Sequence, residues 1–226
     1  MSPKSLFAAG LLAASSVCFV LPAQADIIAY DVPSGTTSNQ FITNPLGLDF
    51  DVNGTIHITA LGVFDSNQNG LSFATPVYIY DRNTQLPVVS VVIPAGTATT
   101  LINGSRFVNL ITPITLNAGF QGTVVEDPNT TDGNFNSQGG ATATTLNTGG
   151  GLLSFVGAGR VSDNGPGTYP ARGDGGPNDR YYAATFEYAA GAATPAATPE
   201  PGALAWMAGL GITGCGLVLR RRARRK

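Results

Sequence analysis

Between Asp26 and Thr198 apolar residues recur in short runs at a spacing of two, closed by Asn-Gly, Gly or Pro, and no stretch keeps a 3.6-residue period. That pattern suits half-buried strands and offers no amphipathic helix to build with. Leu48, Phe50 and Val52 alternate with Asp49 and Asp51, and Ile56, Ile58 and Ala60 alternate with His57 and Thr59. A three-residue hairpin loop at Asn53-Gly54-Thr55 would pair Val52 with Ile56 and hold both apolar sets on one face, because a one-residue slip turns every side chain over. In that register Asp51 stands across from His57 on the outer face. Further strands are expected near Pro76 to Asp81, Pro87 to Ile93, Arg106 to Ile111, Ile114 to Leu116, Gly122 to Val125, Leu152 to Val156 and Tyr181 to Tyr188. Eight or more short strands predict an all-β domain over 26–188, a β-sandwich or jelly-roll-like fold.

The formal charge of −2 hides an acidic domain. Residues 26–198 carry 13 acids and five arginines (Arg82, Arg106, Arg160, Arg172 and Arg180), so their net charge is 5 − 13 = −8. With no lysine and few dispersed arginines, this span can release few phosphate counterions, which excludes nucleic acid as an expected partner and disfavours an anionic membrane surface. Both cysteines, Cys18 and Cys215, fall outside it, so the core must hold without a disulfide. Residues 127–179 are rich in Gly, Asn, Thr and Pro, with one clear apolar run, and read as a long loop region. An Ala/Thr/Pro linker at 189–198 is expected to be extended and exposed.

The two ends have a different character. Lys4 precedes an apolar stretch from Leu6 to Leu21, and Ala23-Gln24-Ala25 has the small residues a signal peptidase requires, which predicts a signal peptide over 1–25 and a mature start at Asp26. At the other end the triplet Pro199-Glu200-Pro201 is followed by an uncharged apolar run and then by Arg220, Arg221, Arg222, Arg224, Arg225 and Lys226. Residues 203–219 would span roughly 26 Å as a single transmembrane helix, slightly less than a ~30 Å hydrocarbon core. The basic cluster at 220–226 would stay cytoplasmic, which puts the domain outside the cytoplasm. The same spacing also suits a permanent tail anchor.

Triplet, apolar run and basic cluster together, over 199–226, resemble the PEP-CTERM sorting signal of exported Gram-negative proteins, also known as the ice-binding protein C-terminal motif. The phrases from Ile58 to Asp65, Pro113 to Gly119 and Asp179 to Phe186 look like the body of many such proteins. The resemblance implies an exosortase substrate, cut near the triplet after brief residence in the inner membrane and passed to the cell surface or matrix. It implies no chemistry for the domain.

Several motifs bear on function. Asp65-Ser66-Asn67-Gln68-Asn69-Gly70 matches the opening of a calcium loop, with Asp65, Asn67 and Asn69 as oxygen donors, but its twelfth position is Pro76 rather than the closing Glu. A plain turn is the simpler expectation, and no cofactor is expected unless calcium binds there. A single histidine, His57, rules out a multi-His metal centre, and neither a nucleophile elbow nor a domain cysteine is present for covalent catalysis. Acid pairs such as Asp49/Asp51 and Glu126/Asp127 could flank a glycosidic bond, although acids are common throughout this span. Tyr78 and Tyr80 share one strand face and could form a sugar-stacking platform or pack beneath a loop. Arg172-Gly173-Asp174 spells an adhesion tripeptide of a kind Gly/Asp-rich loops generate by chance. The expectation is therefore an exported, non-enzymatic surface or extracellular-matrix protein with no catalytic residue assigned. The alternatives are a carbohydrate-binding module for exopolysaccharide and a secreted hydrolase.

Overall fold

A computed structural model describes residues 25–127, 132–137 and 144–191. The expected signal peptide as far as Gln24, the triplet Pro199-Glu200-Pro201 of the expected sorting signal, the expected span 203–219 and the basic cluster lie outside the described residues, as does the expected linker from residue 192. The domain is all-β. Its strands in chain order are β1 (Ile27–Ile28), β2 (Tyr30–Asp31), β3 (Leu46–Val52), β4 (Ile56–Phe64), β5 (Thr75–Asp81), β6 (Pro87–Ile93), β7 (Thr100–Ile102) and β8 (Ser105–Leu116). There follow β9 (Gln121–Glu126), β10 (Phe135–Asn136), β11 (Thr145–Leu146), β12 (Leu153–Val161), β13 (Arg172–Gly173), β14 (Tyr181–Tyr182) and β15 (Ala184–Ala190). They form a five-stranded sheet, β1-β15-β4-β8-β7, and a six-stranded sheet, β13-β12-β3-β9-β5-β6, with the minor pairs β10-β14 and β11-β2.

The expected hairpin at Asn53-Gly54 does not form. β3 pairs with β9 and β12 in the larger sheet, while β4 pairs with β8 and β15 in the smaller one, so Asn53-Gly54-Thr55 carries the chain from one sheet to the other. Leu48, Phe50 and Val52 then meet Ile56 and Ile58 across the shared core instead of beside them on one face. Each strand gains two hydrogen-bonded neighbours rather than one, which satisfies more buried backbone than a hairpin edge would. Asp51 is consequently remote from His57 in register: Asp51 pairs with Gln121 and Ser154, and His57 with Thr115 and Ala189. By contrast Asn103-Gly104 does close a two-residue hairpin, with Ile102 opposite Ser105 and Asn103 at φ 50°.

The two strands expected over 106–111 and 114–116 are one strand, β8. Its register to β4 breaks between Asn109 and Ile114, where extra residues including Pro113, which has no N–H to give a ladder, bulge outward. In the Gly-rich region the apolar run at Leu152 to Val156 continues to Val161 as β12, a strand of the larger sheet between β13 and β3.

Aromatic rings from both sheets fill the core. Phe50 of β3 and Phe186 of β15, both fully buried, lie with centroids 4.8 Å apart. The Phe50 ring lies over Gly122, its cross-strand partner, where an added Cβ would sit 2.3 Å from the ring carbon Cζ. Ring and backbone both belong to packed strands, so neither can yield freely. Gly122→Ala is expected to destabilise the fold by about 1–3 kcal/mol in urea denaturation; an unchanged midpoint would contradict this packing.

Candidate functional site

Residues facing away from the core on the larger sheet form its densest polar cluster. In β3, Leu48 and Phe50 point into the core, so Gly47, Asp49 and Asp51 point outward; pairing brings Thr123 of β9 beside Asp49 and Arg160 of β12 beside Gly47. Arg160 reaches this position after a register break in β12 that includes Gly157 and Gly159, both at positive φ, conformations that a residue with a Cβ rarely adopts.

Asp49 is the hub of the cluster. Arg160 Nε donates to both its oxygens at 2.8 Å, Thr123 Oγ1 donates to Oδ1 at 2.6 Å, and Arg82 lies 3.2 Å from Oδ2. Arg82 also pairs with Asp51. A segment that includes Tyr169 and Pro170 covers part of this face. The Arg160 guanidinium lies 5.5 Å from the Tyr169 ring centroid, and Pro170 covers Gly47, where an added Cβ would lie 3.1 Å from the Pro170 ring and 2.7 Å from Thr123 Cγ2. Burial opposes the charge on Arg160, but the Asp49 hydrogen bond and charge outweigh it and raise its pKa.

The two tyrosines singled out in the sequence belong to this face. Tyr78 is half-buried, while Tyr80 is 3% exposed and closed off by Tyr169 in an edge-on contact at 5.5 Å. The Tyr78 and Tyr80 rings are 5.5 Å apart and tilted by 37°. Tyr169 thus covers Tyr80, the packed arrangement, while Tyr78 keeps part of its surface exposed. Burial, helped by Tyr78 and Asp127, pushes the Tyr80 phenol up to about 12.

The two acid pairs named in the sequence differ in setting. Asp49 and Asp51 are both ion-paired with Arg82, and Asp49 is also paired with Arg160. Glu126 pairs with Leu46 and Val77 and so lies on the core face, whereas Asp127 accepts the Gly167 N–H at 2.6 Å. His57 is on the outer side of the other sheet, its Nδ1 2.9 Å from Thr115 Oγ1, with no carboxylate among its hydrogen-bond partners.

The calcium-like loop has its own cation. Asp65 is fully buried, and Arg106, 3% exposed, donates from Nε to Asp65 Oδ2 at 2.6 Å. Both Asp65 oxygens also accept the Gly70 N–H, at 3.2 and 3.1 Å. Thr37 donates to Asn67 Oδ1 at 2.8 Å, and the Asn69 amide, oriented by its neighbours, donates to the Ser66 carbonyl at 3.1 Å. The oxygens of Asp65 and Asn67 and the amide nitrogen of Asn69 therefore serve a turn anchored on β8, and among the described residues no group of three His, Cys, Asp or Glu is placed to hold a metal. Millimolar calcium is expected to leave the melting temperature unchanged; a rise of several degrees would restore the cation reading.

The adhesion-like tripeptide is engaged in the same way, with Arg172 donating to Asp163 and Asp174 accepting from Arg180 at 2.9 Å. All five arginines of the domain are thus ion-paired with aspartates of the domain. Arg82, Arg106, Arg160, Thr123 and Tyr169 were not singled out in the sequence, where the only hint was an acidic, lysine-free span with few cations. An open cleft of about 370 Å³ lies between β6 and β8, lined by Val88, Phe120 and residues 114–118, none of them titratable. No protein-family model matches the chain, and no curated protein matches it.

Proposed function

We propose that this chain is an exported, non-enzymatic surface or extracellular-matrix protein whose two sheets form a jelly-roll-like β-sandwich. Signal peptidase and an exosortase would act on its ends, with the inner membrane as a temporary station. The observation that carries the non-enzymatic reading is the pairing of every arginine in the domain with an aspartate of the domain. Four of them, Arg82, Arg106, Arg160 and Arg180, are also largely covered, so they are not free to grip an anionic ligand. Tyr80 beneath Tyr169 and Asp49 between two arginines support this reading over the carbohydrate-binding and hydrolase alternatives.

The test is fractionation of a host with the matching export machinery, combined with assay of the recovered protein on that host's exopolysaccharide. The expected outcome is protein in the surface or matrix fraction that releases no reducing ends from the polymer and shows no change in tyrosine fluorescence on adding soluble polymer fragments. Release of reducing ends would establish the hydrolase, and a saturable fluorescence change would establish the binding module.

A further inference from the structure

Strand β6 is the outermost strand of the larger sheet, with β5 as its neighbour on one side and no strand on the other among the described residues. We propose that β6 is a self-recognition edge, at which a second copy of this chain adds antiparallel about a two-fold axis through Ser90.

The backbone directions follow from the neighbouring strand. The Pro76 carbonyl accepts from Asp127 on the β9 side, and the Asp81 N–H donates to the Leu86 carbonyl on the β6 side. Backbone groups alternate along a strand, so Val77 and Ile79 turn toward β6, and their partners Val91 and Val89 turn back toward β5. Ser90 and Val92 therefore aim their N–H and C=O groups at the open edge. A register break opposite Ile79 and Tyr80 ends the regular edge near Val88.

The sequence of this edge identifies its partner. Pro87-Val88-Val89-Ser90-Val91-Val92-Ile93 reads nearly the same in both directions about Ser90. Antiparallel pairing on that centre places Ser90 against its own copy, Val89 against the partner's Val91 and Val88 against the partner's Val92, so like meets like in every central position. This is the self-complementarity a two-fold interface requires. Val92 is 60% exposed on the outer face and Val88, at the register break, is 42% exposed, so pairing would cover apolar surface on both copies.

Charge points to the same partner. A net charge of −8 over residues 26–198 sets two copies against each other almost everywhere, yet residues 83–105 contain no charged residue at all. Edge strands are ordinarily guarded by lysine, by a central proline or by an inward charge. This one has only Pro87 at its first position and the break at Val88. The proposal does not depend on the export reading.

The full chain, with Cys18→Ser and Cys215→Ser, supplies the test. In sedimentation equilibrium it is expected to dimerise at roughly 50 μM, with Val92→Lys weakening the association at least tenfold and Ile111→Lys, a change at a fully exposed residue of β8, leaving it intact. Register is read by crosslinking. Two Ser90 Cα atoms would lie about 5.5 Å apart, within disulfide reach, whereas two Val92 Cα atoms would be roughly 14 Å apart. Mild oxidation should therefore link Ser90→Cys and not Val92→Cys. A monomer at that concentration, equal effects of the two lysine variants, or equal crosslinking of the two cysteine variants would overturn the proposal.

Discussion

Asp65→Ala is expected to lower the stability of the domain by about 3–5 kcal/mol, the usual cost of stranding one charge of a buried pair. The variant would leave Arg106 at 3% exposure with its Nε donor unmatched, and the Gly70 N–H would lose both acceptors. Other contacts of Arg106, to the Thr97 and Thr99 carbonyls at 3.2 and 3.1 Å, hold the guanidinium in place, so it cannot swing to water without releasing that segment. Pairing Asp65→Ala with Arg106→Met removes both charges and should recover a large part of the loss, since the Coulombic gain of such a pair rarely exceeds its desolvation cost by much. Urea denaturation of wild type, both single variants and the double variant forms the cycle. A loss below about 1 kcal/mol for Asp65→Ala would mean the carboxylate is not confined as described.

Glu126 should make the fold less stable as pH rises. Burial, reinforced by Asp132 and Asp127, pushes its carboxyl up to about 8 from an ordinary value of 4.5. The folded chain therefore keeps a proton that the unfolded chain has lost, and between those two values stability falls with rising pH. It is fully present below pH 4.5 and lost by about pH 8, a change approaching 5 kcal/mol at ~1.4 kcal/mol per pH unit. Asp179, raised to about 6 by burial, adds a smaller slope of the same sign. Glu126→Gln keeps the shape and removes the titration, so it should be the more stable protein at pH 8, by on the order of 10 °C in melting temperature. Parallel pH profiles of wild type and Glu126→Gln would contradict this placement of the carboxyl.

Strands were largely legible in the sequence because period-two alternation is a local property. Pro87–Ile93 has the expected bounds, and Thr75–Asp81 and Gln121–Glu126 each differ from expectation by a residue or so at an end. What alternation does not encode is the sheet a strand joins. The apolar sets of β3 and β4 face the core whether the chain turns back on itself or crosses between sheets, so Asn53-Gly54 read as a hairpin and proved to be a crossover. The polar cluster was hidden for a related reason. Asp49 and Arg160 are 111 residues apart and meet only because β12 pairs with β3, while Tyr169 lies in a Gly-rich stretch with no periodicity to mark it. Asp65 read as the start of a plain turn, with calcium as the alternative, and nothing local showed that its carboxylate is matched by a cation of the chain. Arg106, 41 residues further on, is that cation.

The functional reading joins a domain whose arginines are all internally paired to terminal segments that resemble export and sorting signals. Its central claim is that the ends are addresses to be removed, and intact mass of the protein recovered from a host with the matching machinery tests it most directly. The account predicts a mature form beginning at Asp26 and lacking the segment after the triplet, with Glu200→Ala retaining that segment and remaining in the inner membrane. A wild-type protein that keeps Arg220 to Lys226 would contradict it and make the chain a tail-anchored periplasmic protein.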